Sequence, residues 1–562
     1  MAEDKQNNDF DENISYKIPF SERVGRNSLF NLAGNIISYI LKFISIPIIL
    51  NFIKFDFGYY YTITSYAGII ILSYNFFNLG TNFSSSKFIS EYFSLKNENK
   101  INSVFSINLF LNILASIITT IILIFIMFFF VPSRGIIELS FMNIYISSCV
   151  ALIIGRFVLN LINPYTIVLL GFQRNDFYVF IMTIVNITTS FFKIIFIVLG
   201  FNVLGLIISD YLFIIIGSIV IFYIIKKRYK NLKFSLKYVN WKDIKRYSSQ
   251  GLAFYFANFD ETLFIDLNTV LIPYLMSMKY PYTNPNYSIT IYGTSLKLGR
   301  YGMALTSSLQ GGQVAIATEL YTKKEMQKFR DLFGRLFNLS FFLSIVLATS
   351  VMLLSPQILL HYIGLPFYNA WPILSSLVLM YAIKLSIGLC RYIMQSMNLT
   401  HKWMYLAFLE YGLIVSFSLV GFIFFDLNGL AIGVALAVSI YSFIFLFYTA
   451  NKLQYPIKSL ITKFGKILFS ISVPSTLFLF LKFFNLIPYT TTEGFLYLLV
   501  DGLIILIYAG ISFLIFYLIK GFHKNDMGAL KRSIKSIFKS IRRRTLIFNK
   551  LSTRKSDNEL KE

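Results

Sequence analysis

Fourteen apolar stretches, each long enough to cross a lipid bilayer, follow one another between residues 28 and 519. A spanning helix needs ~20 apolar residues, because a rise of about 1.5 Å per residue has to cover about 30 Å of hydrocarbon. The stretches run near 28–53, 57–81, 103–131, 136–163, 177–199 and 203–225, then 248–275, 289–317, 336–359, 367–397, 403–424 and 427–450, and finally 464–487 and 494–519. With no water in the bilayer core, the backbone groups of each stretch must bond within it, which leaves the helix as its only form. The expected fold is an all-α polytopic membrane protein with about 14 transmembrane helices, arranged as two pseudo-symmetric six-helix lobes (28–225 and 248–450) plus two C-terminal helices within 451–520. A polar N-terminal tail (1–27), a basic connection (226–247) and a basic amphipathic tail (521–562) complete the chain. With 56% hydrophobic and only 14% charged residues, a soluble multidomain enzyme is excluded.

Lysine and arginine test this count independently, since they gather in alternate connections when the spans are correctly numbered. Forty of the 51 fall on one side, together with both termini, against four (Lys54, Arg134, Lys279, Lys482) on the other. This predicts a multi-pass protein of the cell membrane with both termini cytoplasmic. It also accounts for much of the net charge of +24, so no nucleic-acid partner is required. In the tail, Leu530, Ile534, Ile537, Phe538 and Ile541 recur at helical spacing among Lys531, Arg532, Lys535 and Lys539, a pattern expected to lie on anionic membrane lipids. The lysine-poor connections are short, the longest near 276–288, and none has room for an outer catalytic domain. A transporter is therefore expected rather than an enzyme such as a membrane-embedded glycosyltransferase or polymerase. Cys149 and Cys390 read as small buried hydrophobes, and His361, His401 and His523 as incidental, with no metal site and no cofactor.

The chain also echoes itself. Gly171-Phe-Gln-Arg-Asn-Asp, a helix, and Asn202-Val-Leu-Gly-Leu206 are answered by Gln395-Ser-Met-Asn-Leu-Thr, a helix, and Asp426-Leu-Asn-Gly-Leu430, with Gly205 and Gly429 separated by 224 residues. Internal repeats of this kind place a transporter's binding site between its lobes.

An ordered series of motifs adds a resemblance over about residues 20–450. Ile46-Pro-Ile-Ile-Leu50 through Phe57-Gly-Tyr-Tyr-Tyr61, Asn78-Leu-Gly80, Ser86-Lys-Phe-Ile-Ser-Glu-Tyr92, Ile291-Tyr-Gly-Thr-Ser-Leu-Lys297, Gly364-Leu-Pro-Phe-Tyr-Asn-Ala370 and Asp426-Leu-Asn-Gly-Leu-Ala-Ile-Gly433 resemble the polysaccharide transporter branch of the multidrug/oligosaccharidyl-lipid/polysaccharide exporter superfamily. The resemblance implies flipping of a polyprenol-linked oligosaccharide for cell-surface polysaccharide synthesis, alongside other polysaccharide assembly proteins. A lipid-linked peptidoglycan precursor flippase and a cation-coupled multidrug exporter are the alternatives within the fold.

Charges inside spans cost ~2.5–3.5 kcal/mol each at the bilayer centre and mark function. The cations are Lys42, Arg156, Lys193, Lys297, Arg300, Lys384 and Arg391; the acids are Asp210, Asp260, Glu261, Asp266, Glu410 and Asp501. The first lobe holds three cations and only Asp210, an excess suited to an anion. Lys42, Lys297 and Arg300 are the expected contacts to headgroup phosphate, with Lys193, Lys384 and Tyr301 as further cavity candidates. Arg156 and Arg391 are expected to snorkel toward an interface. Asp260, Glu261 and Asp266 are candidates for an inter-lobe gate or for Na+ or H+ coupling, and static pairing with Lys297 or Arg300 is the other reading. No G-x-x-x-x-G-K-[ST] phosphate loop is present, so ATP is not expected to drive the cycle.

Overall fold

The computed structural model describes residues 20–522, except 134–136, 173–174, 258, 260–266, 281–284, 309–316, 318–319, 322, 398 and 485–494. The described residues are almost wholly helical, with no strand among them. The N-lobe comprises α1 (Phe20–Ile53), α2 (Phe57–Phe77), α3 (Thr81–Ser94), α4 (Glu98–Phe125), α5 (Met142–Gly171), α6 (Asn175–Val198) and α7 (Asn202–Arg228). The C-lobe comprises α8 (Trp241–Ala257), α9 (Asn268–Lys279), α10 (Pro285–Ser308), α11 (Met326–Tyr362), α12 (Trp371–Ile387), α13 (Leu389–Ser396) and α14 (Thr400–Lys452). α15 (Ile457–Phe483) and α16 (Phe495–Leu518) follow. α14 is two spans in sequence, divided where Phe425 and Asp426 leave helical geometry. Among the described residues, nine helical runs are long and apolar enough to cross a membrane by themselves. The protein is an all-α polytopic membrane protein, and each expected span falls on a helix or a consecutive pair of helices.

Two boundaries differ from expectation for local reasons. α8 begins at Trp241, inside the stretch assigned to the basic connection, because the Asn240 side chain accepts from the Asp243 amide at 2.8 Å and starts a helix there. The second span stops at Phe77, since Leu79 (φ 57°) and Gly80 (φ 67°) turn left-handed and redirect the chain into α3. That short helix lies in what the hydropathy pattern reads as connection.

Helix boundaries repeat at the 224-residue offset. Moved by it, α4 falls on α11, α6 and α7 fall on the two halves of α14, and α1 falls on α8 plus α9. One backbone feature repeats as well: Asn202 (φ 49°) and Asp426 (φ 53°) both have positive φ. Asp426 Oδ2 accepts from Tyr280 Oη at 3.1 Å and its Oδ1 is 2.5 Å from Lys279 Nζ, which ties the first connection of the C-lobe to its last turn; Asp56 and Asn202 stand 224 residues before Tyr280 and Asp426.

The lobes meet along α10, which packs on α1 and α2 as well as on α12 of its own lobe. On the basic side they meet through backbone. A Cβ placed on Gly80 would sit 2.3 Å from the Gly251 carbonyl, and one on Gly251 would sit 2.4 Å from the Gly80 oxygen. Beside this contact Phe88 packs against Tyr247 with ring centroids 4.6 Å apart, and Lys87 Nζ donates to Gln250 Oε1 at 3.2 Å.

α15 and α16 dock on α11 of the C-lobe. Phe342 stacks on Phe516 at 4.1 Å, Tyr508 Oη donates to Thr349 Oγ1 at 3.0 Å, and Asn338 Nδ2 donates to the Gly521 carbonyl at 2.9 Å.

Candidate functional site: a cation and tyrosine cluster between the lobes

Five helices bring their polar residues to one place. α1 supplies Tyr39 and Lys42, α2 supplies Tyr60 and Tyr61, α6 supplies Asn186 and Lys193, α7 supplies Asp210, and α10 supplies Lys297, Arg300 and Tyr301. Asp210 anchors the arrangement. Its Oδ1 is 2.7 Å from Lys193 Nζ, its Oδ2 accepts from Tyr60 Oη at 2.7 Å, and Lys193 Nζ is 3.3 Å from the same hydroxyl. The Lys193 and Asp210 side chains keep 16% and 28% exposure, so this pair is half-buried rather than sealed in packed core.

Lys297 stands over aromatic faces. Its Nζ is 4.3 Å from the Tyr61 ring centroid, 4.7 Å from that of Tyr60 and 5.4 Å from that of Phe57. Such faces attract a cation electrostatically without neutralising it, and they hold the amine where it can still bind an anion. Tyr61 in turn is set by Thr294, 3.4 Å from its hydroxyl. Lys42 Nζ donates to Asn186 Oδ1 at 3.1 Å and lies 5.9 Å from the Tyr39 ring, which itself contacts the Tyr301 ring at 5.5 Å. Among the described residues, no carboxylate lies within ion-pair distance of Lys42 or Lys297. The charges of Lys193, Asp210, Lys42 and Arg300 all act on Lys297, so four cations and one acid form a single electrostatic group. Arg300 is exposed, three residues along α10 from Lys297.

The structure thus gathers Lys42, Lys193, Lys297, Arg300 and Tyr301, and leaves Lys384 elsewhere. Lys384 Nζ is 2.7 Å from Glu410 Oε1, with side chains 7% and 1% exposed, a closed pair inside the C-lobe. Arg391 lies over Trp403, 5.8 Å from the ring. Asp260, Glu261 and Asp266 lie outside the described residues. Arg156 Nε donates to Tyr211 Oη at 3.0 Å, a partner on α7 that no spacing within α5 reveals. One expectation is corrected. His361 is not incidental; its Nδ1 is 2.7 Å from Asp501 Oδ2, both side chains buried, and the bond joins α11 to α16 across 140 residues.

Sequence reasoning missed Tyr39, Tyr60, Tyr61 and Asn186. The run Phe57-Gly-Tyr-Tyr-Tyr61 carried a signal, since consecutive tyrosines at the head of a span, in a lobe with excess cations, offer both ring faces and hydroxyls. Ammonium groups that only donate, together with phenols that donate and accept, suit a ligand with an anionic part and a polyhydroxylated part.

The fold itself defines a class. It is similar to a multidrug-resistance MATE-family transporter of the MOP superfamily in its inward-facing conformation, at 16% identity and TM-score 0.57, over 76% of this chain and 94% of that one. A MATE transporter in complex with MaD3S is similar at 14% identity and TM-score 0.58, over 77% and 96%. A MOP-superfamily transporter from Pyrococcus furiosus, described as having a binding pocket of reversed polarity that suggests a different function, is similar at 13% identity and TM-score 0.56, over 76% and 96%. No curated protein matches the chain. Residues 24–279 match the family described as polysaccharide biosynthesis protein.

Proposed function

We propose that the protein exports a polyprenyl-phosphate- or pyrophosphate-linked oligosaccharide across the cell membrane by alternating access. One observation carries this reading: Lys42, Lys193, Lys297 and Arg300 act together between the lobes with Asp210 as their one described acid. Lys42, Lys297 and Arg300 take the phosphate oxygens, and Tyr60, Tyr61 and Tyr301 face the sugars while the lipid tail stays in the bilayer. The same excess of positive charge weighs against a cationic drug as cargo. In this reading both termini are cytoplasmic, and an anion leaving an inside-negative cell moves downhill by ~2.3 kcal/mol per charge per 100 mV, or ~4–5 kcal/mol for a diphosphate, without nucleotide.

The test uses the full chain in vesicles with a fluorescent polyprenyl-pyrophosphate oligosaccharide. K297Q and K42Q are expected to lower the flipping rate by more than ~10-fold, equivalent to ~1.4 kcal/mol of barrier, at unchanged thermal stability. Wild-type rates from both variants overturn the proposal.

A further inference from the structure

Proline inside a spanning helix leaves a gap. It has no N–H for the carbonyl four residues earlier, and in a bilayer that carbonyl needs another donor. Pro47 lies in α1, Pro164 in α5, Pro273 in α9, Pro356 in α11 and Pro474 in α15. At Pro47, Pro164 and Pro356 a hydroxyl lies beside the freed carbonyl. Ser355 Oγ donates to the Met352 carbonyl at 2.8 Å, and Tyr74 Oη of α2 is 3.5 Å from the Asn160 carbonyl. At α1 the carbonyl freed by Pro47 is that of Phe43, and its donor is the hydroxyl of Tyr362, the last residue of α11. The first two bonds lie within one helix or one lobe, and the third runs from the C-lobe to the N-lobe.

Its surroundings fit a contact that is made and broken. The Tyr362 ring stacks on Phe43 with centroids 4.3 Å apart, and Phe43 adjoins Lys42. On the other side His361 is fastened to Asp501 of α16, so the tyrosine is braced from behind by a docked helix. When the lobes part on the lysine-poor side, α11 withdraws from α1. The stacked rings separate, and the Phe43 carbonyl passes from the phenol to cavity water.

We propose that Tyr362 is the latch between the lobes on the lysine-poor side, supplying across the lobes the hydrogen bond that Pro47 removes from the first span. The latch does not rest on the proposed function.

A double-mutant cycle tests the latch. The full chain is spin-labelled at N51C and L365C, on the lysine-poor ends of the two lobes, with Cys149 and Cys390 replaced by alanine, and inter-lobe distances are measured in nanodiscs without substrate. Y362F keeps the ring and removes the donor; P47A restores an N–H to the Phe43 carbonyl. In the Pro47 background Y362F is expected to raise the ratio of long to short distances at least threefold. In the P47A background it is expected to change the ratio by less than half of that factor. No shift in the first background, or an equal shift in both, overturns the proposal. K42Q separates the two claims: if it flips substrate normally while the cycle behaves as expected, the headgroup assignment fails and the latch stands.

Discussion

At matched positions of the internal repeat the two lobes place their charges differently. Lys384 and Glu410 of the C-lobe correspond, 224 residues earlier, to Asn160 and Asn186, while Lys193 and Asp210 of the N-lobe correspond to Phe417 and Val434. The C-lobe pair is buried, whereas the N-lobe pair stays partly exposed beside further cations. One duplicated scaffold has kept its turns and divided its charges: one half carries a buried ion pair, and the other gathers a surplus of positive charge.

The sharpest way to break this contrast is to strand a charge in each lobe. K384M leaves Glu410 buried without its lysine and is expected to cost ~3–5 kcal/mol of stability, read as thermal unfolding in detergent, while K384M combined with E410M recovers most of it. K193M leaves Asp210 with the Tyr60 hydroxyl and an open side, so its cost is expected on the order of 1 kcal/mol or below. Equal losses in the two lobes would erase the distinction between a buried pair and a half-buried one. A smaller effect is expected from the outer tie of the C-lobe. D426A removes the acceptor shared by Tyr280 and Lys279, and hydrogen exchange in the last turn of α9 should quicken modestly while that in the last turn of α1 stays as it is; an equal response in both would show that the effect is not local to this tie.

The smallest effect concerns the basic side. Burial pushes the Asp243 carboxyl up, but hydrogen bonds from Asn240 (2.9 Å) and Ser103 (3.4 Å) and the ammonium of Lys100 (3.5 Å) outweigh it and hold the group below the usual carboxylate range. A depressed value means that the stabilisation is full above the unfolded pKa, about 3.9 for aspartate, and is lost as pH falls through the folded one. Exchange at the amides of 231–240 should therefore be unchanged from neutral pH down to about 5 and faster below about 4 relative to D243N, which should lack this step.

Span positions, the basic-side asymmetry and the repeat were legible because each is written in one dimension: apolar length, charge along the chain, and a constant offset. The cation cluster was legible in part, since Lys42, Lys297 and Arg300 stand out against hydrocarbon. Their settings were not. Tyr60 and Tyr61 look like any interfacial aromatics until α10 brings Lys297 over them, and Asn186 looks like one more polar residue in a span. His361 was misjudged because its partner Asp501 sits on a helix that the six-plus-six pattern treats as an appendix. Facing direction across helices, rather than composition along them, was the missing quantity.

The meeting of Gly80 and Gly251 bears on how such a machine turns. Two bare stretches of main chain pressed together have no side-chain rotamers to rearrange, so in the proposed cycle the lobes would tilt about that point as a lever tilts on its fulcrum, with little friction. A methyl group at either position would act like grit in a bearing, propping the basic side ajar at every stroke.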